Sequence, residues 1–124
     1  MTRRVLIVED EVILVMFATM ALEDAGFDVL SATDGRQGLE IARANTIDVV
    51  VTDYMMPGLD GLAMLRALRA DGMNVPAIMI TAIPTDHLGL DGDPPFERHI
   101  LKPCSETELV EAVASLLDAP PGPD

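Results

Sequence analysis

Lysine is almost missing from this 124-residue chain: seven of its eight cations are arginines, and only Lys102 is a lysine. Tryptophan is absent and aromatics make up 3%, so Val, Leu, Ile, Met and Ala must fill any core. One cysteine, Cys104, excludes an intrachain disulfide. No apolar run reaches the length of a membrane span, and the stretch after Arg4 is broken at Glu9, so we expect neither an anchor nor a signal peptide. A reduced, cytoplasmic setting is the expectation. Positive charge is the largest deficit. A net charge of −13 argues against binding nucleic acid or an anionic membrane surface, since both recognise Lys and Arg.

What is present is a 49% hydrophobic composition in a length suited to one domain. Short apolar runs at 5–8 and 47–52 read as strands buried on both faces. Further strands are expected at 28–32, 75–81 and 98–101. Between them lie helical patterns at 11–25, 36–44, 61–70 and 105–117. The first of these carries Leu14, Phe17, Ala18, Ala21, Leu22 and Ala25 at 3–4 spacing, read as its core stripe. Ser105 and Glu108 have capping-box spacing, and Asp60-Gly61 reads as a turn into a helix. Alternation of double-sided strands with helices means a parallel sheet covered on both faces. Residues 83–97, with three prolines, two glycines and three aspartates, break the pattern, and a normal helix is not expected there. We expect one domain over 1–118 and a disordered tail over 119–124.

Ligands of open parallel sheets bind beyond the carboxyl ends of the strands. Those ends carry Glu9 and Asp10, then Asp53, then Thr81, then Lys102. Three carboxylates brought together repel one another, and burial worsens the conflict. A hard divalent cation resolves it, and Mg²⁺ favours a few carboxylates plus water and phosphoryl oxygens. Asp53 then reads as the nucleophile, Asp10 as a direct metal ligand, and Glu9 as acting mainly through metal-bound water. Thr81 and Lys102 are placed to meet phosphoryl oxygens. The compact ammonium of a lone lysine suits that task better than a planar guanidinium.

These residues resemble a family. The runs 5–11 (VLIVEDE) and 53–61 (DYMMPGLDG), with Thr81-Ala82 and Lys102-Pro103, are similar in order and interval to bacterial response-regulator receiver domains. The resemblance covers residues 3–118 and points to the single-domain, CheY-like form. It implies a flavodoxin-like, doubly wound five-stranded parallel sheet in the order 2-1-3-4-5, which the general rule for this fold illustrates with the same family. Here the fourth helix is expected to be shortened or disordered. It implies Mg²⁺ held by Asp10, Asp53 and the backbone carbonyl of Met55, with Glu9 completing the metal set mainly through bound water. It implies phosphorylation of Asp53 by a histidine kinase or a histidine phosphotransfer protein, a switch through Thr81 and Lys102, and a cis bond before Pro103. The domain would assist its own phosphorylation and turn over no diffusible substrate. A homodimer is compatible with the resemblance.

The sequence also departs from the family. His99 stands three residues before Lys102, where the family commonly has Tyr or Phe that turns inward with the threonine; we assign it to the switch. Neither His99 nor His87 lies in a metal-ligand pattern. Cys104 replaces a usual aromatic and reads as a small apolar filler. Residues 83–97 occupy the place of an output helix and are expected to order on phosphorylation or partner binding. The first helix is apolar opposite its core stripe, and Val12, Val15 and Met16 are assigned to partner docking. Apolar Met55 and Ile83 flank the chemistry and orient water poorly, so self-dephosphorylation should be slow. The rival reading is a receiver-like interaction module that does not use phosphate.

Overall fold

The computed structural model describes residues 2–82 and 94–117. Its strands are β1 (Arg4–Val8), β2 (Asp28–Ala32), β3 (Val49–Asp53), β4 (Ala77–Thr81) and β5 (Arg98–Leu101). Its helices, among the described residues, are α1 (Val12–Asp24), α2 (Gly35–Ala44), α3 (Gly61–Ala70) and α4 (Glu106–Leu117). The strands form one parallel sheet in the order β2-β1-β3-β4-β5. This is the flavodoxin-like, doubly wound architecture expected. The place of the family's fourth helix falls on residues 83–93, and the tail on 118–124. Both lie outside the described residues.

The period of two along each strand divides the core into two layers. Leu6, Val8, Val50, Ala77 and Met79 face α2 and α3, where Ala42, Met64, Leu65 and Leu68 close the layer. Val5, Ile7, Val49, Val51 and Ile78 face the other way, against Leu22 of α1 and Leu109, Ala112 and Val113 of α4. Strands buried on both faces are what a run such as Val49-Val50-Val51 requires.

Two strands start later than the apolar runs suggest. Asp48 is taken up by the Arg4 backbone, whose N–H donates to Asp48 Oδ2 at 2.7 Å. Pro76 has no N–H for a ladder. It contributes only its carbonyl, which accepts from Val50 N at 2.9 Å. The strand therefore opens at Ala77, whose N–H donates to Glu97 Oε1 at 2.7 Å.

Helix entries follow the sequence signals. Asp34 Oδ1 accepts from Gln37 N at 2.8 Å, and Asp60 Oδ1 from Ala63 N at 2.7 Å. The capping box forms at both ends: Glu108 N donates to Ser105 Oγ at 3.0 Å and Ser105 N to Glu108 Oε1 at 3.1 Å. At the end of the 83–97 segment, Phe96 is buried in the α2–α3 layer, and Arg69 Nη2 donates to Pro95 O at 2.8 Å.

Candidate functional site

The parallel register brings the carboxyl ends of β1, β3, β4 and β5 to one edge. Glu9 and Asp53 are buried there, Asp10 is exposed, and the three present carboxylate oxygens within 4.8 Å of one another. Lys102, just past β5, reaches across to them. Its Nζ donates to Asp53 Oδ2 at 2.9 Å and to Glu9 Oε1 at 3.2 Å, with Glu11 Oε1 at 3.9 Å. Burial raises the Glu9 pKa above its ordinary value, and Asp53 adds to that. The N–H of Glu11 and the ammonium of Lys102 oppose it. Burial works against the charge on Lys102, but its bonds to Asp53 and Glu9 outweigh burial and hold its pKa above the ordinary value. A lone ammonium thus meets several carboxylates. The donor set, hard oxygens at short mutual distance with excess negative charge, fits Mg²⁺.

The other expected residues fall around this cluster. Thr81 is buried at the end of β4, in register with Leu101. Asp53 Oδ1 accepts from Tyr54 N at 2.7 Å, which fixes the carboxylate at the end of β3. Met55 follows in the loop with its side chain exposed. His99 is half-buried on β5, opposite Met79, with its ring 6.1 Å from that of Phe96. The Lys102–Pro103 bond is cis.

Residues 5–114 match the response regulator receiver domain family. This chain belongs to that family. The receiver is 38% identical over 121 residues to the DNA-binding response regulator MtrA of Mycolicibacterium paratuberculosis. That match covers 94% of this chain and 52% of MtrA, so the chain spans about half the length of its relative. Among solved structures, it superposes on the receiver domain of Francisella response regulator 1452 with a TM-score of 0.89 and 31% identity, over 95% and 98% of the two chains. It also superposes on the response regulator TrrA of Thermotoga maritima, solved in complex with Mg²⁺-BeF, with a TM-score of 0.85 and 26% identity, over 94% and 100%.

The first helix of the receiver corrects one expectation. Leu14 and Phe17 do not join the core: they are 38% and 53% exposed, and only Ala21 and Leu22 of α1 are buried. The sheet layer takes up the helix through Ala18 and Leu22, while Leu14, Phe17 and Ala21 line a groove shared with α4. This groove has a volume of about 410 Å³, and Ile80, Pro103 and Leu109 line it too, together with Asp53 and Lys102. Val12 and Met16 lie outward as expected, but Val15 is half-buried. The outward arc instead includes Ile13, Phe17 and Met20. Reading the sequence missed these residues because every position from 12 to 17 is apolar, so spacing could not single out the face. Glu11 was also passed over as a partner of Lys102, although it stands in the same acidic run. No described helix is long and apolar enough to cross a membrane.

Proposed function

We propose that this receiver accepts a phosphoryl group on Asp53 from a phosphohistidine of a histidine kinase or histidine phosphotransfer protein. The observation that carries this reading is the junction of Glu9, Asp10 and Asp53 with the ammonium of Lys102 at one strand edge. An Asp53 carboxylate oxygen attacks phosphorus; the P–O bond forms, the P–N bond breaks, and the departing imidazole takes up a proton. Glu9, Asp10, Asp53 and the Met55 carbonyl would hold Mg²⁺, which neutralises charge on the phosphoryl oxygens when bound. Lys102 offers N–H donors to one phosphoryl oxygen, and its present bond to Asp53 marks the distance it must exchange. Thr81 offers its hydroxyl to another, and His99 lies on the neighbouring strand as the inward-moving element. The TrrA complex with Mg²⁺-BeF supports this reading for a related fold.

The partner's helix meets α1 in this proposal. Val12, Ile13, Met16, Phe17 and Met20 form an exposed apolar arc, and the groove beside it runs to Asp53. Exposed Glu11, Glu23 and Asp24 flank the arc at the two ends of α1, and Glu106 lines the groove, so its rim is negative. A second copy would set two such rims against each other at a net −13 apiece. An amphipathic helix with apolar residues flanked by Lys or Arg is complementary. In this reading the domain assists its own phosphorylation by the partner and turns over no metabolite, and its setting is that of the kinase's cytoplasmic side.

The test is incubation with acetyl phosphate and Mg²⁺, followed by intact mass. One added phosphoryl group is expected, absent in Asp53→Ala and in EDTA. A chain that takes no label, yet binds a partner equally well with Asp53→Ala, would establish the phosphate-free interaction module instead.

A further inference from the structure

Two helices of this domain begin on glycine directly after a capping aspartate: α2 on Gly35 and α3 on Gly61. Neither glycine is among those with positive φ, which are Gly26, Gly58 and Gly72. Backbone freedom is therefore not why a side chain is missing. Space is the reason. A Cβ on Gly61 would overlap the carbonyl oxygen of Asp53 and stand 2.9 Å from both Asp53 C and Thr52 Oγ1. A Cβ on Gly35 would overlap the carbonyl oxygen of Leu59 and stand 3.0 Å from Leu59 C and 3.1 Å from Leu59 Cβ.

Both neighbours are backbone atoms of the segment 53–60, which carries Asp53 at its start and Met55 two residues on. A side chain can rotate away from an intruding methyl group; a carbonyl oxygen moves only if the loop moves. Contacts on either side hold the segment in place. Gly61 N donates to Tyr54 O at 2.9 Å, and Leu59 packs on the core layer below α2 and α3. The entrance to α2 is itself fixed, since Gln37 Oε1 accepts from Thr33 N at 2.7 Å and Asp34 caps Gln37. The loop is seated between the first residues of two anchored helices.

We infer that Gly35, which lies outside the acidic, threonine and lysine motifs, is a positioning residue for the Asp53 site. Its bare backbone seats Leu59 and thereby sets the depth at which Met55 meets Glu9, Asp10 and Asp53. This rests on the proposed Mg²⁺ site. Gly38, one turn along the same helix, is a matched contrast. The three atoms a Cβ there would meet first are all side-chain atoms of the core, Met64 Sδ and Val8 Cγ2 at 2.8 Å and Val8 Cγ1 at 3.2 Å, where Gly35 and Gly61 would meet a loop carbonyl.

The experiment is a Mg²⁺ titration of the full chain followed by tyrosine fluorescence. Tyr54 is the only tyrosine, tryptophan is absent, and Tyr54 adjoins Asp53. Gly35→Ala should weaken Mg²⁺ binding by roughly ten-fold or more, the usual cost of disturbing a group that orients a ligand. Gly38→Ala should lower thermal stability yet leave Mg²⁺ affinity within about two-fold, because its clash stays in the core. Leu59→Gly, which frees the loop without a clash and tests the inference even if Gly35→Ala fails to fold, should also weaken binding several-fold. Wild-type affinity in folded Gly35→Ala or in Leu59→Gly, or an equal loss in Gly38→Ala, would overturn the positioning role and leave the proposed phosphorylation standing. A wild-type chain that takes no Mg²⁺ at all would overturn both.

Discussion

Replacing Lys102 with Met keeps the stem and removes the chain's one lysine ammonium, which faces the acidic cluster. At an effective dielectric of about 20, charges 2.9 and 3.2 Å apart attract by roughly 5 to 6 kcal/mol per pair. Most of that is cancelled by the cost of taking the ions out of water. Removing one partner of a buried pair nevertheless costs about 3–5 kcal/mol, because the other charges stay behind uncompensated. Lys102 keeps about a fifth of its side chain exposed, while Glu9 and Asp53 keep less than a tenth. Solvent screening at the ammonium brings the expected loss down to about 2–3 kcal/mol. In EDTA, urea unfolding should show a midpoint lower by about 1–2 M with an unchanged slope. Mg²⁺ should narrow the difference, since a cation that binds only the folded state restores the missing charge and binds the variant more tightly. A loss below about 0.5 kcal/mol in EDTA, or a difference that Mg²⁺ leaves unchanged, would refute the electrostatic account of the site.

Three other outcomes are expected. Ile13→Glu and Met16→Glu, both on the exposed arc of α1, should slow phosphotransfer from a cognate phosphohistidine partner by about ten-fold while labelling by acetyl phosphate proceeds at the wild-type rate; parallel loss of both activities would count against docking. The acyl phosphate should persist for minutes or longer in Mg²⁺ buffer, since exposed Met55 cannot orient water, and Met55→Glu should shorten it; decay of the wild type within seconds would defeat this. Ile83, the second flanking position, lies outside the described residues. Burial pushes the Cys104 thiol up, with Glu108 adding to the effect, so less thiolate is present near pH 8 than in a free cysteine. A disulfide reagent should therefore label Cys104 more slowly in the native protein than in urea, and equal rates would contradict the assignment as filler.

Most of the sheet was legible because strands covered on both faces must be apolar throughout, and 5–8 and 47–52 carry that mark. The strand order came with the family resemblance, and β5, only four residues with both ends exposed, gave little pattern of its own. The starts of β3 and β4 were misplaced for a local reason. Asp48 and Pro76 are each committed to another bond or deprived of a donor, which an apolar run does not register. The site was legible as a set of residue types at strand ends. The bonds that tie it together were not. That Lys102 spans Asp53 and Glu9 depends on β5 lying beside β4, a fact of register and not of spacing. Gly35 carried no signal beyond helix entry, because its meaning is the position of Leu59, twenty-four residues away in sequence.

The first helix shows where periodicity fails and why the failure is informative. From Val12 to Phe17 every residue is apolar, so several stripes fit the 3.6-residue period equally well. The sheet settles the choice through two residues: Ala18 lets the helix approach, and Leu22 fills the layer beneath. Nothing in that packing uses Ile13, Met16 or Met20, which stay exposed at 79%, 57% and 61%. A helix apolar all round is ordinarily buried on all sides. The described part of α4 leaves it uncovered here: Leu14 and Phe17 line the groove between the two helices and stay exposed. Full burial of a Met or Ile side chain is worth about 1.5–3 kcal/mol. Several such side chains on one arc, beside a groove that Asp53 helps to line, therefore concentrate binding energy near the proposed phosphoacceptor. Under the proposed function, a partner helix that buries that arc would gain its affinity close to where the phosphoryl group is delivered, joining recognition to chemistry at one edge of the sheet.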